Sequence, residues 1–149
     1  MDWQKNKQVR LCQNFLGVFA GLLAGLDIAA FWLCRWFVGV RSMPDYSLWL
    51  MLATVYLASV PAWFCLVKLG QLLLNIRMGE VFVAENVGFI LGISRCCGFV
   101  ALITALSAFY YVPFIFVAAA ALFLFLVVRI VAEIFREASS MKDELDLTV

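Results

Sequence analysis

The sequence predicts an all-α integral membrane protein: a four-helix bundle with both termini cytoplasmic and helices 2, 3 and 4 extending past the inner face. Three observations carry that expectation. The 149 residues are 66% hydrophobic and only 14% charged, with a mean hydropathy of +1.01. A soluble domain runs near one quarter charged, and a chain this small cannot hide so much apolar surface from water. Apolar runs long enough to cross a bilayer recur four times. The basic residues between those runs collect on one side.

The first run, 11–34, contains one charge, Asp27, and follows a short polar stretch with Lys5, Lys7 and Arg10. At about 1.5 Å per residue it reaches about 36 Å, against a hydrocarbon core of about 30 Å. It exceeds the apolar core of a secretory signal, about 7–15 residues, and so reads as an uncleaved first transmembrane helix. Residues 35–47 form a turn-prone loop with Arg41, Pro44 and Asp45. The second run, 48–67, has no charge; its Pro61 is tolerated where neighbouring helices satisfy the freed carbonyl.

Residues 68–95 read as a cytoplasmic linker. Lys68 marks the interface, and Leu69, Leu72, Leu73 and Ile76 then recur at helical spacing, so helix 2 continues beyond the bilayer. Gly79 suits a C-terminal stop, because glycine accepts the left-handed cap conformation. Val81, Phe82 and Val83 form an apolar clasp with Phe82 as its anchor, and a helix restarts near Glu85 and Asn86. The third span, 96–111, ends on Tyr110 and Tyr111, which suit the opposite interface. Val112 and Pro113 turn the chain into the fourth span, 114–128, and a charged helical tail, 129–149.

The orientation follows from charge. With cytoplasmic termini, nine basic residues lie inside and only Arg35 and Arg41 outside, a strong positive-inside bias. A turn centred on Val112 places Arg95 and Arg129 at equal depth. Glu133 lies one turn beyond Arg129. An inner-face charge cluster of Arg95, Arg129 and Glu133 is therefore expected; the alternative is that the arginines snorkel to lipid phosphates.

Gly17, Gly21 and Gly25 form a small-residue face suited to close helix packing. It serves either a homo-oligomer or another helix of the same chain, such as the one bearing Gly88, Gly92 and Gly98. Asp27 is costly inside a span, about 2.5–3.5 kcal/mol at its centre. It reads as an ion, proton or cationic-ligand site, or as a structural hydrogen-bonding group with Tyr56, Thr54 or Ser107 in reach. The adjacent Cys96 and Cys97 can form a strained disulfide or bind soft metals, or they serve as small apolar residues. With no histidine, and no metalloprotease, hydrolase or phosphate-loop motif, no catalytic, metal or cofactor site is expected. The chain reads as a non-enzyme that contacts no nucleic acid directly.

The Leu73-Leu74-Asn75-Ile76 stretch, then Gly79, Phe82, Glu85-Asn86-Val87, Ile93-Ser94 and Cys96-Cys97, and the closing Asp143-Glu144-Leu145-Asp146-Leu147-Thr148-Val149 resemble a bacterial family. It comprises small four-helix membrane proteins known as domain of unknown function 2975. Where members carry basic residues after the Asn-Val pair, this chain has Gly88 and Phe89. The resemblance implies a multi-pass protein of the bacterial inner membrane. It also implies a partnership with a small helix-turn-helix regulator. On that reading the linker, with Gly79, Phe82, Glu85 and Asn86, and the acidic tail, with Asp143, Glu144 and Asp146, form the docking side. A small transporter or efflux/immunity-type protein acting through Asp27 is the alternative.

Overall fold

A computed structural model describes residues 2–79, 81 and 83–148, with the side chains of 2–6, 8, 9, 143 and 146 outside the description. It contains four helices: α1 Asp2–Val40, α2 Tyr46–Arg77, α3 Ala84–Ser107 and α4 Phe114–Leu147. Each is long and apolar enough to cross a bilayer, and the chain is a multi-pass membrane protein.

The helices outrun the predicted spans. Helix α1 does not stop at residue 34, because Trp36, Phe37 and Val38 prolong its apolar face beyond Arg35. It ends where Ser42 takes a positive φ of 50°. The predicted loop 35–47 thus shrinks to 41–45. Helix α2 runs through Lys68 to Arg77, and α3 restarts at Ala84, so most of the predicted linker is helical. The turn between α3 and α4 spans 108–113, wider than the expected Val112-Pro113 corner. It is closed by backbone bonds from Tyr110 N and Tyr111 N to Ser107 O.

The bundle is an open row. Among the described residues, close backbone approach joins α1 to α2, α2 to α3 and α3 to α4, and no other pair of helices. The C-terminal end of α1 is tied to the α3–α4 turn by Phe37, whose ring meets Tyr111 edge-on at 5.5 Å. The Arg41 guanidinium lies 5.7 Å from the Phe37 ring. Beneath this lid Ala30, Cys34, Val38, Met51 and Leu52 form the apolar core between α1 and α2.

Elsewhere the usual inside-out order is reversed. Large apolar side chains such as Ile28, Trp32, Phe64 and Phe116 are exposed, while Asn86 and Ser94 are the fully buried side chains of greatest volume. Lipid solvates the apolar exterior as well as another helix would, so packing and interhelical hydrogen bonds hold the row together. Thr54 Oγ1 of α2 and Ser107 Oγ of α3 share a hydrogen bond of 2.7 Å, joined by Tyr110 Oη at 2.9 Å from Thr54. Ser94 Oγ of α3 donates to the Phe125 carbonyl of α4 at 3.2 Å.

Candidate functional site

Asp27 sits between α1 and α2. Ser59 Oγ donates to its Oδ1 at 2.7 Å and Trp63 Nε1 to its Oδ2 at 3.0 Å, while Tyr56 Oη donates to its backbone carbonyl at 3.2 Å. Each carboxylate oxygen thus has a donor from the neighbouring helix, as a charged group removed from water requires. Tyr56 was foreseen, although it reaches the main chain. Thr54 and Ser107, expected within reach of Asp27, bond to each other instead. Thr54 lies five residues from Ser59, about 140° around α2, and turns to α3. Ser107 belongs to a helix that does not approach α1. The sequence does not point to Ser59 or Trp63: the expected loop 35–47 centres on residue 41 and pairs 27 with 55, whereas the observed loop 41–45 centres on 43 and pairs 27 with 59.

The second polar site closes the linker. Asn75 Nδ2 of α2 donates to Asn86 Oδ1 of α3 at 2.9 Å, and Asn86 Nδ2 donates to the Val81 carbonyl at 2.9 Å. Asn86 is 0% exposed. Gly79 holds φ at +89° with nothing within 4 Å of a would-be Cβ, so backbone conformation alone accounts for glycine there. Glu85 is exposed in the first turn of α3, a favourable place for a negative charge. Phe82, expected as the apolar anchor, lies outside the described residues. In the described part the clasp is polar, built on Asn86.

The expected inner charge cluster is not formed. Arg95, Arg129 and Glu133 are all exposed, and no ion pair joins them among the described residues. Two causes are visible. The turn centres nearer residue 110 than 112, so Phe125 lies opposite both Ser94 and Gly98. Arg95, one residue past the α4-facing Ser94, is also rotated by about 100° and turns outward.

The glycine face is open. Nothing lies within 4 Å of a Cβ built at Gly17, Gly21 or Gly25, so these glycines do not pack against another helix of the chain. Helix α1 meets α2 through Leu16, which touches Gly70, and through Asp27; the glycines lie about 80–160° around the helix from that line. In α3, Gly98 does serve close packing, with the Phe125 ring 3.2 Å from its would-be Cβ.

The tail is helical to Leu147. Ser94 lies ten residues into α3 and opposite Phe125, so α4 continues about 12 residues, or about 18 Å, past the start of α3. On this overhang Glu137, Met141, Glu144, Leu145 and Thr148 are exposed and share one face at i, i+4 and i+7 spacing. The side chains of Asp143 and Asp146 lie outside the described residues. No group of three metal-ligating side chains occurs among those described.

A family model described as a protein of unknown function (DUF2975) matches residues 41–149. No curated protein and no solved structure matches.

Proposed function

Because the chain belongs to the DUF2975 family of proteins of unknown function, we propose that it is a non-enzymatic membrane module whose linker and α4 overhang hold a cytosolic partner. The partner is a basic, helical DNA-binding protein of the helix-turn-helix kind. The orientation puts both termini and the 78–83 linker on the cytoplasmic side, as the nine-to-two distribution of basic residues favours. The observation that carries the reading is the exposed acidic-apolar strip of Glu137, Met141, Glu144 and Leu145 on a helical overhang that no other helix covers among the described residues. Leu145 is 67% exposed in a part of the chain that lipid does not cover on this topology. A basic partner seated on such a strip gains charge complementarity and orientation, and its DNA-binding surface is withdrawn while docked.

The geometry favours this over a transport role for Asp27. Its carboxylate oxygens are engaged by Ser59 and Trp63, and the grooves beside the row are apolar, such as that of about 400 Å³ lined by Leu57, Pro61, Phe64 and Phe99. Asp27 acts as a latch between α1 and α2. The test is a pull-down from native membrane with and without residues 139–149. The full chain is expected to retain a helix-turn-helix protein that the truncated chain releases; equal recovery by both rejects the docking role of the tail.

A further inference from the structure

Helices α2 and α3 pack in a constant antiparallel register. Thr54 meets Ser107 and Asn75 meets Asn86, and a Cβ built at Gly92 would lie 3.7 Å from the Lys68 methylenes. The first two pairs add to the same residue sum, 161, and the third to 160. Cys65 and Cys96 add to 161 as well. Both also lie on the facing sides. Cys65 is eleven residues from Thr54, and Cys96 eleven from Ser107, which is about 20° from each of those contacts around its helix. Cys97 is rotated a further 100° or so, toward the side of α3 that faces α4. Cys65 lies within electrostatic reach of both Cys96 and Cys97. All the cysteines are free thiols.

We propose that Cys65 and Cys96 are a redox pair that closes to a disulfide across α2 and α3, oxidised from the bilayer by a lipid-soluble quinone. Both S–H bonds break and one S–S bond forms. The two electrons and two protons pass to the quinone, which leaves as the hydroquinone. Access comes from the lipid side: Cys96 lines the wholly apolar groove of about 400 Å³ with Leu57, Val60, Pro61, Phe64, Phe99 and Ile103. Lys68, one turn from Cys65, brings an ammonium group within reach of Cys96; its Nζ lies 5.0 Å from the Phe89 ring.

The experiment treats the full chain in proteoliposomes with a short-chain ubiquinone and maps disulfides by non-reducing peptide mass spectrometry, with maleimide counting of free thiols. The expected result is loss of two thiols and a 65–96 linked peptide within one chain. Cys97→Ser retains the link, and Cys65→Ser or Cys96→Ser abolishes it. A 96–97 or 65–97 link, a link between chains, or an unchanged thiol count in the folded wild-type chain overturns the proposal. Because the wild-type map is read directly, a variant that fails to fold does not decide the outcome.

Discussion

Replacing Asn86 with alanine should open the linker. The side chain is 0% exposed and both accepts from Asn75 and donates to the Val81 carbonyl. Truncation leaves an amide donor on Asn75, itself 9% exposed, and a half-buried carbonyl at Val81 without this partner. An unsatisfied buried polar group costs about 1–3 kcal/mol. Water reaches Val81 in part, so the two losses together come to about 2 kcal/mol. If the linker opens as a local unit, amide exchange in residues 78–90 should accelerate about 30-fold, since 1.4 kcal/mol is a factor of ten. The assay is hydrogen exchange with mass spectrometry in nanodiscs, with the outer turn, 108–113, as an internal reference. Asn86→Asp keeps the acceptor for Asn75 but sets a buried carboxylate oxygen against the Val81 carbonyl, so it should accelerate exchange at least as much as alanine. An exchange rate in Asn86→Ala within about threefold of wild type, or equal acceleration at the outer turn, would refute the clasp.

Further outcomes follow from the same contacts. Asp27→Ala frees Ser59 and Trp63 and should cost about 1–3 kcal/mol at the α1–α2 seam. Removing a charge from the span offsets that in overall insertion energy, so the readout is trypsin sensitivity of the loop around Arg41 rather than global unfolding; no change there removes the latch. Gly79→Ala should lower stability by about 1–2 kcal/mol through backbone strain alone, since the site has room for the methyl. A loss in detergent unfolding below about 0.5 kcal/mol contradicts the positive φ. Gly98→Leu drives a side chain into the Phe125 ring and should disrupt α3–α4 packing, whereas Gly21→Leu should leave the thermal midpoint of the isolated chain unchanged. An equal fall in both variants would mean that the α1 glycine face is covered within one chain.

Much of the fold is legible in the sequence because hydropathy and helix length are local properties. The four spans, the extension of α2 to Arg77 and the stop at Gly79 rest on composition and spacing within one segment. The errors arise where two segments meet. A turn centred on Val112 pairs Arg95 with Arg129, and a shift of one to two residues is enough to misplace that register. The glycines of α1 identify a face suited to packing, but they do not say which side of α1 meets α2; Leu16 and Asp27 decide that. The partners of Asp27 depend on the register of α1 against α2: the expected loop 35–47 pairs residue 27 with 55, and Ser59 comes opposite only with the loop at 41–45. Asn86 was singled out by resemblance, while its full burial depends on Val81 and Asn75 meeting it across the linker, which no single segment encodes.

The central claim, that the cytoplasmic end of α4 is a docking surface, is tested most directly by photo-crosslinking in intact cells. A photoreactive residue is placed at Leu145, on the strip, or at Ile28, which is 84% exposed on the membrane-spanning part of α1. A crosslink from position 145 to a helix-turn-helix protein, identified by mass spectrometry and absent from position 28, is the predicted result. No protein adduct at position 145, or the same adduct at both positions, would contradict it.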